Sequence, residues 1–136
     1  MAGPPGRAYV YFTYGNHYCV NVVAEAEGTA GAVLLRAVEP LEGIELMARR
    51  RGLTSASGAV DPRLLASGPG RLTQAMGIGR QHNDGDLTAA PLFIAHGRPG
   101  LFVVRAGPRV GIREGTERRW RFIIQGNPYV SRGAHS

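Results

Sequence analysis

Residues 9–21 read YVYFTYGNHYCVN, and no other stretch constrains the fold as strongly. Four of the five tyrosines and one of the four phenylalanines fall within ten residues here. The alternation, broken at Gly15-Asn16, predicts two strands joined by a tight turn, a β-hairpin. Tyr9, Tyr11 and Thr13 share one face of the first strand, and Val10, Phe12 and Tyr14 share the other. Both faces are apolar or aromatic, so both want cover. Tyr14 sits at the turn, where an aromatic ring is hard to bury. A stacking side chain on a hairpin tip suggests a wedge for nucleic-acid bases. An ordinary hairpin with cross-strand tyrosine pairs is the plainer alternative.

Charge makes the first reading worth carrying. The chain has 16 basic residues against 10 acidic ones, a net charge of +6. All 16 are arginine. Guanidinium groups hold phosphate through a planar, two-pronged fork, so a polyanionic partner fits. A GC-rich genome accounts equally for arginine over lysine, but not for the net charge. The lack of lysine leaves no side chain able to form a Schiff base. One cysteine, Cys19, excludes an internal disulfide and a cysteine-rich zinc site, and its place in a strand pattern predicts a small buried hydrophobe. His17, His82, His96 and His135 show no metal-ligand spacing. No apolar run approaches a membrane span and no signal-peptide core opens the chain, so a cytoplasmic protein is expected.

At 136 residues a single domain is expected, covering 1–136. After the hairpin, residues 32–38 read as a buried strand. Pro40 ends it and opens a helix over 41–51, closed by Gly52. Asp61-Pro62 is a helix-cap pattern. Gly68-Pro69-Gly70-Arg71 enters a second helix, whose free N–H groups would seat a phosphate, with Arg71 beside them; an ordinary helix start is the equal alternative. Strands are expected over 92–95, 101–105, 109–112 and 120–125. Strands and helices mix without strict alternation, which predicts an α+β fold with a largely antiparallel sheet, a protruding hairpin and a few short helices.

The motifs, taken in order, resemble the alkyladenine (3-methyladenine) DNA glycosylase family. The matching strings are AYVYFTYG, YCVNVV, VLLRAVEPLEG, LASGPGRLTQAMGI, PRVGI and RWRFIIQGNPYVS, which together run over nearly all of the chain. The resemblance implies a compact single α+β domain, a monomer without cofactor or metal, that removes alkylated or deaminated purines from double-stranded DNA. It implies Tyr14 as the wedge, with Asn16 where the family often has a larger apolar partner. It implies Tyr11 as one wall of the base pocket and Asn21 as the residue that screens the purine edge. Arg36 would stand beside the reactive water and the sugar-phosphate, and the backbone carbonyl of Val110 would face that water. Gly68, Gly70 and Arg71 would touch phosphate.

Hydrolysis of this kind needs a carboxylate to deprotonate the water. The resemblance puts it in a Glu-x-Tyr motif upstream of the hairpin, in roughly a third of a typical family domain that lies before this segment. Glu39, Glu42, Glu45, Asp61, Asp84 and Asp86 all read as helix, cap or turn residues. A catalytically inactive DNA-binding remnant and a basic RNA-binding module are therefore kept as alternatives. The nucleoid is the expected location.

Overall fold

The computed structural model describes residues 4–13, 15–25, 31–53, 60–97 and 100–131. The tyrosine-rich stretch forms the predicted hairpin, β1 (Ala8–Thr13) and β2 (His17–Val23). The strands pair antiparallel with Tyr9 opposite Asn21, Tyr11 opposite Cys19 and Phe12 opposite Tyr18. A short third strand, β3 (Ala32–Leu34), adds antiparallel to β2 and places Leu34 opposite Asn21. The free edge of β1 is closed by the loop that follows the second helix. Ala8 N donates to Gly85 O at 2.8 Å, and Val10 N donates to Asn83 Oδ1 at 2.8 Å. Closing an edge this way removes a template for unwanted strand pairing.

The two faces of this sheet have different fates. Ala8, Val10 and Val20 enter the main core with Ala66, Leu72, Ala75, Ile78 and Leu87, and Tyr18 and Val22 pack against it. Helix α2 (Pro69–Met76) lies on this face and buries Leu72, Thr73 and Ala75. Proline at its first turn fixes φ without losing a needed donor. Gly77, at φ 67°, ends it in the left-handed conformation that glycine adopts without strain. The buried Thr73 hydroxyl donates to Tyr18 O at 2.8 Å, joining α2 to β2.

The first helix is shorter than the sequence pattern predicts. Helix α1 spans Ile44–Arg50, with Gly43 at φ 73° before it. That left-handed turn keeps Leu41 and Glu42 outside the helix, and both are exposed. Gly52 closes it as expected, its N–H donating to Arg49 O at 3.1 Å. Two arginines tie α1 to its neighbours. Arg50 Nη1 donates to Ala75 O at 3.0 Å, while Arg51 Nε and Nη2 donate to Leu65 O and Leu64 O, both at 3.1 Å. Asp61 caps the 3-10 turn Pro62–Leu64, its carboxylate accepting from Arg63 N at 3.0 Å.

Several strand expectations are corrected. The run at 32–38 is half-buried with Val33 exposed, not a buried strand, and it leaves β2 after Leu35, where Ala37 takes Ser67 as its bridge partner. Residues 92–95 form no strand, having only Ile94 N to Leu87 O at 2.8 Å as a ladder-like bond. Residues 109–112 bend instead of extending, since Gly111 takes φ 73°. The last two strands form a separate antiparallel pair, β4 (Val104–Gly107) with β5 (Arg121–Ile124), so the first of them lies a little later than 101–105. Two small antiparallel sheets with short helices make an α+β fold. Among the described residues, no helix is long and apolar enough to cross a membrane.

Candidate functional site

The face of the β1–β2–β3 sheet turned away from α2 carries the candidate site. Side chains alternate along a strand, so Val10 and Val20 in the core put Tyr9, Tyr11, Cys19 and Asn21 on the other side. The Tyr9 and Tyr11 rings stand 5.5 Å apart, tilted by 36°. Asn21 is buried, and its amide nitrogen donates to Tyr9 O at 3.3 Å, which fixes the side chain across the strand pair. Cys19 is buried directly opposite Tyr11. Burial pushes its thiol above the ordinary range, against the opposing pull of the Tyr11 hydroxyl bond and the charge of Arg36.

Arg36 follows β3. Its neighbour Leu35 packs against the core and donates its N–H to Val20 O at 3.1 Å, which turns Arg36 toward the opposite face. The Arg36 guanidinium is half-buried, and its Nε is enclosed without a hydrogen-bond partner. Burial lowers its basicity, the nearby charge of Arg121 lowers it further, and Cys19 acts in the opposite sense. Tyr11, Cys19, Asn21 and Arg36 thus lie on one face of the sheet: a flat aromatic, a buried thiol, a buried amide and a cation.

A second feature lies at the turn end of the hairpin. An open groove of about 370 Å³ is lined by Asn16, His17, Gly68, Pro69, Gly70, Arg71 and Gln74. His17 Nδ1 donates to Asn16 Oδ1 at 2.6 Å, and Arg71 Nη1 donates to Ser67 Oγ at 3.3 Å. The groove therefore brings Asn16, Gly68, Gly70 and Arg71 to one place, next to the first turn of α2. Tyr14, expected as the wedge, lies outside the described residues. Val110 is half-buried in the bend before Gly111, outside the sheet that carries the other residues.

Strands β1, β2 and β3 contain no Asp or Glu. Glu39, Glu42 and Glu45 are exposed. Asp61 is paired with Arg63 at 2.8 Å, and Asp86 accepts from the Thr88 hydroxyl at 2.6 Å, so both serve their own turns. The His82 ring likewise accepts from Gly79 N at 3.0 Å. Among the described residues no three His, Cys, Asp or Glu side chains gather as a metal site.

The family model described as methylpurine-DNA glycosylase (MPG) matches residues 1–128. The chain belongs to the methylpurine-DNA glycosylase family. Within it, the chain is similar to curated relatives named "Putative 3-methyladenine DNA glycosylase". One from Rhodopseudomonas palustris (strain HaA2) is 51% identical over 131 residues, covering 96% of this chain and 62% of the relative. Another from Chlorobaculum tepidum is 47% identical over 134 residues, covering 97% and 61%. A third, from Bradyrhizobium diazoefficiens, is 47% identical over 132 residues, covering 97% and 62%. The chain spans about three fifths of the length of these relatives.

Sequence reasoning alone missed two residues of this site. Arg121 comes within electrostatic reach of Arg36 from the other sheet, and His17 forms one wall of the groove. Arg121 had a visible signal, a charge at the head of the apolar run Phe122, Ile123, Ile124. His17 had none, because its packing partner Gly70 is distant in sequence.

Proposed function

We propose that this chain provides the base pocket and DNA-contacting part of a monofunctional DNA glycosylase that hydrolyses the N-glycosidic bond of alkylated or deaminated purines. The single observation that carries this reading is the shared face of Tyr11, Asn21 and Arg36. A base cannot be cut inside the stack, so it is rotated out of the duplex. In this reading the Tyr14 ring fills the gap, with Asn16 beside it. Tyr11 then offers a flat face to the purine, and an alkylated, positively charged purine gains most from an aromatic wall. Asn21, held to the Tyr9 carbonyl, presents a fixed amide to the base edge. Arg36 stands at the sugar-phosphate, with the Val110 carbonyl toward the attacking water. Gly68, Gly70 and Arg71 receive a backbone phosphate in the groove. As the base leaves, positive charge develops on the sugar, and water attacks the anomeric carbon, giving its proton to a carboxylate that the described residues do not supply.

The residues described here bind, stack and orient. Among the described residues no carboxylate stands on the sheet's site face, which keeps a second reading for this chain by itself: binding of damaged DNA without excision. In either form the proposed partner is double-stranded DNA with a damaged purine, engaged by a monomer at the nucleoid in the cytoplasm. The test is direct binding of the purified chain to duplexes with hypoxanthine, an abasic-site analogue or no lesion, with an RNA hairpin as competitor. A preference for the lesion duplexes supports the reading. Equal binding to all of them, or displacement by the RNA, overturns it.

A further inference from the structure

Trp120 and the arginines around it take no part in the roles above. Residues 105–121 carry six of the 16 arginines against two acids, Glu114 and Glu117, a net +4 in a chain whose total is +6. Trp120 is the single tryptophan of the chain, and it is 55% exposed. Its ring meets two cations. The guanidinium carbon of Arg118 lies 4.5 Å from the ring centroid and that of Arg109 lies 5.4 Å from it. Both arginine chains converge on Gly115, which takes φ 69°. A Cβ built there would stand 2.6 Å from Arg109 Nη2 and 3.9 Å from Arg118 Cδ. The turn is tied at the same point, with Arg118 N donating to Gly115 O at 3.1 Å and Arg109 Nη2 to Glu114 O at 3.5 Å. Arg109 is half-buried and anchors the cluster, while Arg118 is exposed and reaches out of it.

A guanidinium resting on an aromatic ring loses freedom without using up its N–H donors, so less ordering remains to be done when a phosphate arrives. Glu117 does not neutralise Arg118, because the pair is 3.8 Å apart and both side chains are more than half exposed. An apolar partner would strip water from the two guanidinium groups and give them no acceptors, whereas a polyanion supplies acceptors and charge together. We propose that Trp120, carrying Arg109 and Arg118, is a preformed contact for the sugar-phosphate backbone of duplex DNA outside the lesion. The inference rests on the glycosylase reading. It adds an anchoring surface at the β4–β5 pair, apart from the groove beside α2.

The test uses the full chain and its single tryptophan. Trp120 emission is followed while an undamaged duplex and a duplex with an abasic-site analogue are titrated in at several salt concentrations. Both duplexes should change the emission, and iodide should quench it less once either is bound. Arg118→Ala, read by anisotropy of a labelled duplex, should weaken binding to both about tenfold, the lower end of the scale for a hydrogen bond to a charged group. It should also reduce the slope of log affinity against log salt by about one, with the thermal midpoint of wild type. Trp120→Phe keeps a ring for the arginines and should bind more tightly than Trp120→Ala. Unchanged Trp120 emission at saturating duplex, or wild-type affinity and salt slope in Arg118→Ala, would overturn the contact. So would a response to an RNA hairpin but to neither duplex, or an emission that shifts with protein concentration before DNA is added, the ring then being covered by a second copy. If Arg118→Ala binds as wild type while lesion preference persists, this contact fails and the glycosylase reading stands. If Trp120 and Arg118 respond as expected but the two duplexes bind equally well, the glycosylase reading fails and the contact stands.

Discussion

Gly70 lacks a side chain at the point where the His17 ring lies against helix α2. A Cβ built there would stand 2.7 Å from both Cγ and Cδ2 of His17, and 3.2 Å from its Cβ. The ring cannot retreat by rotating alone, because the clash extends to its root. The close approach seats the start of β2 on the first turn of α2 and shapes the groove between them. Gly70→Ala should therefore destabilise the protein by about 1–3 kcal/mol, the usual range for overpacking. Thermal unfolding would read this as a fall of roughly 3–6 °C per kcal/mol for a domain of this size.

Thr73 makes the companion contact deeper in the same interface. Thr73→Val keeps the shape but leaves the Tyr18 carbonyl without its 2.8 Å donor. A loss of about 1–3 kcal/mol is expected for a buried acceptor left unsatisfied. Urea denaturation should show a lower midpoint with an unchanged slope.

The groove and the hairpin tip should separate in binding experiments. Tyr14→Ala should weaken binding to a duplex with an abasic or flipped site by roughly 1–3 kcal/mol, the scale of one lost stacking contact. Arg71→Ala should weaken binding to damaged and undamaged duplexes alike and flatten the salt dependence, since a phosphate contact carries no base information. Unchanged affinity for Tyr14→Ala, in a variant whose thermal midpoint matches wild type, would remove the wedge from the reading.

Excision should be absent or very slow for the chain as given. Its site face holds a stacking tyrosine, an amide and a cation, and its strands hold no acid. Incubation with a hypoxanthine duplex, followed by alkaline cleavage of abasic sites, measures this. Multiple turnovers would show that one of the exposed acids, with Glu39 and Glu42 the first to mutate, reaches the reacting water.

Cys19 gives a pH dependence with a definite sign. Its folded-state pKa lies above the ordinary thiol value of 9.0, chiefly through burial. The unfolded thiol therefore ionises first as pH rises. Stability from this group is fully present below about pH 9 and is lost as pH climbs from there through the folded value. The stability difference between wild type and Cys19→Ala should shift against wild type over that range, as followed by denaturation at stepped pH. Iodoacetamide should label the folded protein far more slowly than the urea-unfolded one.

The parts legible in sequence were those set by neighbours in the chain. Alternation and Gly15-Asn16 located β1 and β2, and with them the shared face of Tyr9 and Tyr11. Asp61-Pro62 marked a capped turn, and Gly68-Pro69 marked the start of α2. The parts that stayed hidden depend on distant partners. Residues 92–95 have the composition of a strand, but no sheet edge pairs with them along their length. The run at 32–38 switches partner from β2 to Ser67, which no local pattern records. Arg36 was singled out by a family string, whereas Arg121 became visible only when the second sheet brought it near. Helix α1 began late because Gly43 adopts a left-handed turn where the proline signal at Pro40 pointed to an earlier start.

The alternation that puts Val10 and Val20 in the main core and Tyr9, Tyr11, Cys19 and Asn21 on the opposite face has a consequence for how the protein unfolds. A slip of one residue between β1 and β2 would send Val10 or Val20 outward and drive a tyrosine, the thiol or the amide into the hydrocarbon interior. Heat or mild denaturant should therefore extinguish lesion binding and cooperative folding at the same midpoint, leaving no population that is folded yet blind to DNA.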